Sequence, residues 1–374
     1  MGLTPTWWLA DFMTGDLIDT VPLQGVALAS SLDHGRFSAS LDLSQLGLSM
    51  AGARDLLAQL RYGRCTLVPI LEGVSDGQGR PPTSRALGEW WISRVTGSHR
   101  SPIVELGGEE FGAYLGHLDV VEDFKGTLDP VVAARQMMDL AFTYSQDVVV
   151  DLQEWVSHTG ATVEVDIGEA TTDYLSAIRD LQEADGGPFE WMIETGLVLS
   201  GWSPQRVTRT LQVGQPEMAL DRPDVTLEVT GPGRAPASLL DATWDWDEAR
   251  STTNVNGWGA GAGDDQLGPF HEGRTRATGE PGKSRTVVDR SALTEAQVRR
   301  RVRAALAQLT PEDRMFTADM PTDRYTPRVG EVYSWSCDAS WTRIARTGRV
   351  KCDGWSWNSR DADMYQLDLV EVSS

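Results

Sequence analysis

The sequence predicts a mainly β chain with α+β inserts, on three observations. Runs such as Arg36-Phe37-Ser38-Ala39-Ser40-Leu41-Asp42-Leu43 alternate apolar Phe37, Ala39, Leu41 and Leu43 with polar residues, the period of two that a half-buried strand requires. Helical periodicity is confined to a few stretches that carry their own start signals. At 374 residues the chain is long enough for about two to four domains.

Taken in order, Trp7 to about Leu118 has a β texture, with short runs bounded by Gly, Pro, Asp and Ser. Cys65 to Leu71, Gly88 to Thr96 and Ile103 to Leu106 supply further strands, and one helix is expected near Gly52 to Arg61. So many short strands favour a small antiparallel barrel or sandwich. Asp129-Pro130 then offers an N-cap acceptor followed by proline at the first helical position, and Val131, Ala134, Met138 and Ala141 recur at helical spacing. A second helix is expected from about Thr172 to Ala184, with Tyr174, Ile178 and Leu181 on one face and Gly186-Gly187-Pro188 ending it. Strand-like runs at Phe189 to Glu194 and Leu197 to Trp202 complete an α+β unit.

From Gln205 to about Asn256 strands return, at Arg209 to Val213, Val225 to Val229 and Thr243 to Asp247. Gly257 to Gly282 is rich in glycine and polar residues and reads as a long loop or a poorly packed insertion. Thr294-Glu295-Ala296-Gln297 is a capping box opening a helix whose apolar stripe is Val298, Val302, Leu306 and Leu309. Beyond Pro311 the chain is β again, at Val332 to Cys337, Trp341 to Ala345, Arg349 to Cys352 and Tyr365 to Val372.

Charge narrows the function. Lys+Arg number 33 against 54 Asp+Glu, a formal net charge of -21, so a nucleic-acid binder that relies on a basic face is disfavoured. No apolar run reaches the length of a membrane span, the N-terminus lacks a signal-peptide pattern, and membrane insertion is not expected. Cys65, Cys337 and Cys352 are an odd set in a long chain, which argues for free thiols rather than a disulfide framework; Cys337 and Cys352 could face each other across neighbouring strands of the last sheet, and free, buried thiols are expected there as well.

Catalytic signatures are missing. The five histidines (His34, His99, His117, His158, His271) are too widely spaced for a zinc site, and no Gly-x-Ser-x-Gly elbow occurs. The string Asn254 to Gly263 has glycines at alternate positions, but Asp264-Asp265 follow it and would repel phosphate, so it reads as a turn or flexible loop. Carboxylates such as Glu109-Glu110, Asp245 with Asp247, and Asp264-Asp265 allow a glycosidase pair on paper without other support. No enzyme activity, cofactor or metal is expected.

Tryptophan is over-represented, with 14 copies against 7 tyrosines and 8 phenylalanines. Trp244 and Trp246, and likewise Trp355 and Trp357, lie on one face of a strand, whereas the adjacent Trp90 and Trp91 point to opposite faces. Burial in a core or at a subunit interface is favoured over service as sugar-stacking platforms. Arg299, Arg300, Arg301 and Arg303 form a basic cluster expected to be solvated or paired with acids of a neighbouring unit.

Several strings in fixed order complete the reading: Asp11-Phe12-Met13-Thr14-Gly15-Asp16-Leu17-Ile18, Val21-Pro22-Leu23, Gly35-Arg36-Phe37-Ser38-Ala39, Gly88-Glu89-Trp90-Trp91-Ile92 and Leu106-Gly107-Gly108-Glu109-Glu110-Phe111-Gly112-Ala113-Tyr114-Leu115. Together with the 129–141 helix, the 172–202 unit and the 254–263 glycine string, they resemble the minor tail proteins, or baseplate hubs, of long non-contractile-tailed actinobacteriophages. The resemblance covers most of the chain. It implies two antiparallel β-barrel-like tube domains, at 1–119 and at 205–256 with 317–374. It also implies two peripheral units, an α+β domain at 120–204 and a Gly-rich loop plus helix insertion at 257–316.

As function, the resemblance implies a structural virion component of the tail tip, assembled in the host cytoplasm. Three copies would form a hub ring that joins the hexameric tail tube to the trimeric tip and encloses the DNA exit channel. Implied partners are further copies of the chain, the distal tail protein ring or tail tube, the tape measure protein, downstream tip or receptor-binding proteins, and double-stranded DNA passing without specific binding. With no peptidase-like extension before Ser374, lytic activity is expected to reside elsewhere. The alternatives are a carbohydrate-binding host-recognition protein and, behind it, a glycoside hydrolase.

Overall fold

The computed structural model describes residues 5–32, 34–61, 63–74, 83–98, 100–145, 148–152, 156–157, 160, 162–170, 172–182, 188–201, 203–215, 217–230, 239–244, 252–261, 265–275, 282–288, 294–308, 315–339 and 344–372. The chain opens with β1 (Thr6–Asp11), β2 (Leu17–Thr20), β3 (Leu23–Ser31), β4 (Arg36–Asp42), α1 (Met50–Arg61), β5 (Cys65–Val74), β6 (Thr83–Ala86), β7 (Trp90–Gly97) and β8 (Ile103–Glu110). A mixed stretch holds β9 (Phe124–Leu128), α2 (Pro130–Tyr144), β10 (Val156–Ser157), β11 (Val163–Ile167), α3 (Tyr174–Gln182), β12 (Glu190–Ser200) and β13 (Ser203–Gly214). Then come β14 (Leu220–Thr230), β15 (Asp241–Trp244), β16 (Asn254–Trp258), β17 (Phe270–Gly273), β18 (Ser284–Val288) and α4 (Glu295–Gln308). The last strands are β19 (Met315–Pro321), β20 (Glu331–Ala339), β21 (Ile344–Asn358) and β22 (Met364–Glu371).

The architecture is mainly β with α+β inserts. A 14-stranded sheet runs β15-β19-β22-β21-β3-β4-β8-β7-β5-β1-β2, with β14, β20 and β6 attached beside that path. Its two halves come from opposite ends of the chain and meet where β21 pairs antiparallel with β3, from Gly354 opposite Ser31 to Asn358 opposite Ala27. Alternation explains the join, because Trp355 and Trp357 fall on the same side as Ser30 and Leu28 and enter one core with them or beside them. That core takes Trp7, Trp90 and Leu41 from the first half and Trp335, Trp355, Trp357 and Leu367 from the second.

A second core belongs to the mixed stretch. Asp129 caps α2 by accepting from the Val131 and Val132 N–H groups, and Pro130 follows as the sequence requires. The buried face of α2 carries Met137, Met138 and Ala141, and it shares a cluster with Tyr174, Ile178 and Leu181 of α3. The antiparallel pair β9–β11 adds Phe124, Val163, Val165 and Ile167.

Two expected boundaries fall inside elements. Residues 204 and 205 lie in β13, which pairs along its length with β12, from Ser200 opposite Ser203 to Glu190 opposite Gly214. Gly201, at φ +62°, makes the tight connection between the two strands, and Pro204 sits beside a register irregularity, where a strand tolerates a missing N–H. β13 therefore packs with the α+β unit, burying Leu211 and Val213 in its core. Residues 256 and 257 lie in β16, which pairs with β17 and β18 in a small sheet covered by α4. Strands thus extend into the stretch read as a loop. Gly257 is needed for contact rather than for a turn, since a Cβ there would come within 2.1 Å of Val302 Cγ2.

Cys337 and Cys352 do not face each other. Cys337 is opposite Arg346 and Cys352 opposite Leu369, so the strand register separates them, and all three cysteines are buried thiols outside any disulfide. No helix among the described residues is long and apolar enough to cross a membrane.

Candidate functional site

Opposite the Trp-rich core, the large sheet presents a second face that crosses from its C-terminal to its N-terminal half. Register fixes which side chains share it. Asp241 is opposite Asp319, Asp319 opposite Gln366, Gln366 opposite Ser356 and Ser356 opposite Ala29. A parallel row carries Asn358, Ala27, Ser38, Gly107 and Arg94. Thr243, Thr317 and Asp368 form a third row, and Ser40, Glu105 and Thr96 a fourth. Between them stand core residues such as Ala318, Leu367, Trp355, Leu28 and Ala39.

This face is made of small polar and acidic side chains. Its carboxylates include Asp42, Asp241, Asp319, Asp368, Glu105 and Glu109, and its cations include Arg36, Arg94, Arg349 and Lys351. Arg36 is neutralised locally by Glu109 at 3.2 Å, and the Ser40 hydroxyl donates to Glu105 at 2.8 Å. Partial burial holds the Asp368 carboxyl above its usual range.

At one end the face is covered by the α+β unit. Trp91, opposite Glu109, packs there against Phe12, Tyr114 and His117 while its indole N–H donates to the Gly63 carbonyl at 2.8 Å. Nearby, Lys351 is only 4% exposed and reaches Glu190 at 2.7 Å and Asp353 at 3.3 Å. A fully buried ion pair fastens the same junction: Arg209 of β13 donates to both carboxylate oxygens of Glu89, at 2.8 and 2.7 Å. The Thr66 hydroxyl also donates to Glu89, and the guanidinium lies 4.0 Å from the centre of the Phe111 ring. Its remaining N–H groups point at the carbonyls of Asp11, Met13 and Val149. Nothing in the sequence pattern flags this pair, whose members are 120 residues apart.

The singled-out tryptophans divide. Trp90, Trp355 and Trp357 are buried; Trp90 meets Trp355 edge-on at 6.3 Å, and Trp357 meets Trp7 at 5.7 Å. None of these three offers a ring face to a sugar. Trp91 lies on the opposite side of β7 from Trp90, as adjacent strand residues must. Trp244 ends β15, opposite Phe316, while Trp246 lies outside the described residues. The arginines of α4 pair with acids: Arg299 with Glu295 and Glu272, Arg303 with Glu272, and Arg301 with Asp180 of α3 at 2.6 Å. Among the described residues no cluster of His, Cys, Asp and Glu is arranged to hold a metal ion.

Known structures share the overall fold. A tail protein from Neisseria meningitidis MC58 superposes with a TM-score of 0.56 at 14% identity, covering 98% of this chain and 96% of its own. The fold is that of a phage tail protein. A 43 kDa tail protein of prophage MuSo2 from Shewanella oneidensis gives 0.52 at 9% identity, with 98% of each chain covered. A prophage tail protein from Listeria monocytogenes EGD-e gives 0.51 at 9% identity, with 98% and 94% covered. No family model matches the sequence, and no curated protein does. The likeness therefore lives in the backbone path and not in residue identities.

Proposed function

We propose that the chain is a structural component of a bacteriophage tail tip, a hub of which three copies form a ring around the DNA exit channel. The observation that carries this reading is the continuous sheet of a tail-protein fold, built from both ends of the chain and presenting a face rich in small polar and acidic residues beyond the end covered by the α+β unit. In this proposal the first tube domain occupies 1–119 and the second lies at 220–244 and 315–372. Three copies then present six β units, matching a sixfold tube above and a threefold tip below. The distal tail ring or tail tube, the tape measure protein and the tip proteins are the neighbours this position assigns.

The polar sheet face is the proposed channel wall. Every Lys or Arg contacting phosphate would release counterions and add affinity, which would retard a passing duplex. A wall dominated by serine, threonine, glycine and carboxylates, with Arg36 matched by Glu109 and Arg94 among its few cations, offers few such anchors, and its repulsion acts over a Debye length of roughly 8 Å at physiological salt. The pairing of the α4 arginines with Glu272, Glu295 and Asp180 supports the same reading, because these charges are spent within the chain. The proposal is tested by a virion carrying Ser38→Arg, Ser356→Arg and Asn358→Arg together. Particles should assemble and eject DNA more slowly, increasingly so at low salt; ejection at the unaltered rate would place the channel on another surface.

A further inference from the structure

A cavity of about 60 Å³ lies where β6 passes between the β12–β13 hairpin and the segment before β20; Arg85, Arg328, Glu194, Gln212, Glu110 and His34 are among its walls. That is room for several waters or one small ion. None of the residues in the polar sheet rows lines it, and the tail-tip role makes no use of it.

Its charges are unevenly satisfied. Glu89 is taken by Arg209, and Glu194 by Arg328 at 2.5 Å and Gln212 at 3.1 Å. Glu110 accepts from the Gly35 N–H at 2.6 Å, and burial pushes its carboxyl up to about 7, so at pH 6 it is mostly neutral. Arg85 is different, since it makes no hydrogen bond or ion pair among the described residues. The carboxylate of Glu331 is near enough for Arg85 to sense, yet it is already filled by Arg222, Tyr325 and Tyr333. Burial and the charge of Arg328 hold the Arg85 guanidinium below its ordinary range. Arg85 is partly buried and within the field of Glu331, yet no carboxylate of the described residues is bound to its planar fork, whose geometry matches oxyanions.

We propose that this cavity is a binding site for one small oxyanion, gripped by Arg85 with Arg328 at its rim. The ion supplies the bound oxyanion partner that the described residues do not give Arg85 and ties β6, of the N-terminal β half, to the segment leading into β20. Inorganic phosphate is the probe, titrated calorimetrically into the full chain at pH 6 with ionic strength held constant. Saturable one-to-one binding is expected, weakened at least tenfold by Arg85→Met and unchanged by Arg36→Gln, which alters a guanidinium on the sheet face. Arg85→Met removes an unpaired charge and should fold; should it fail to, Arg328→Gln carries the same test with an expected loss of at least threefold. Absence of saturable binding, or equal affinity in the wild type and the cavity variant, overturns the assignment.

Discussion

Replacing Glu89 with glutamine probes the junction between the large sheet and the α+β unit. Both members of the Glu89–Arg209 pair are withdrawn from water, with side-chain exposures of 0% and 1%, and two N–H groups of the guanidinium end on the carboxylate. The Glu89→Gln change would keep the volume and leave Arg209 with a buried positive charge facing only carbonyls, a neutral amide and the Phe111 ring. Breaking one side of such a pair typically costs about 3–5 kcal/mol. The double variant Glu89→Leu with Arg209→Met removes both charges and should recover much of that loss, giving a coupling energy of about 2 kcal/mol or more. Urea denaturation followed by tryptophan fluorescence reads the cost, and amide exchange along β13 shows whether it is local to the junction. A Glu89→Gln variant within about 0.5 kcal/mol of wild type, inside the range of an ordinary surface change, would refute the claim that the pair is desolvated and structural.

Three further outcomes are open to measurement. Burial, with the Arg179 charge adding to it, holds His34 down at about 4 from 6.5, so its contribution is present above pH 6.5 and lost as pH falls towards 4; Glu110, raised from 4.5 to about 7, contributes fully below pH 4.5 and loses this as pH rises towards 7. The two slopes oppose, each about 3 kcal/mol at most, so wild-type urea midpoints should be nearly flat between these limits, whereas Glu110→Gln should gain stability with rising pH. Gly257→Ala should cost about 1–3 kcal/mol by overpacking against Val302, and Val302→Ala in the same chain should restore part of it, as read by thermal melting. Thiol titration should find Cys65, Cys337 and Cys352 unreactive in the native protein and all three free after denaturation, since burial pushes the Cys65 thiol up to about 11 and encloses the other two; a single free thiol in unreduced, denatured protein contradicts this.

What is legible in the sequence is local. The Asp129 cap, the helix containing Tyr174, Ile178 and Leu181, the alternation through Phe37 to Leu41 and the opposite facing of Trp90 and Trp91 all follow from residues within a few positions of one another. Trp202, Ser203 and Pro204 resemble a break between units, and only the long register between β12 and β13 reveals a continuous pair. The small β16–β18 sheet is hidden by glycine-rich composition, where Gly257 serves packing under α4. Joining β21 to β3 depends on strands from opposite ends of the chain, and Glu89 meets Arg209 only once the large sheet and the α+β unit have docked. The polar face has the same origin: Ser38, Ser356 and Asp319 are ordinary in their own strands and become a surface through pairing.

A reconstruction of the assembled tail tip at side-chain resolution tests the central claim most directly. The account expects this chain in three copies, with Ser38, Ser356, Gln366 and Asp319 directed towards the channel axis and no unpaired arginine row lining the wall. One copy or six copies in the tip, or three copies with that sheet face turned outward, would contradict it.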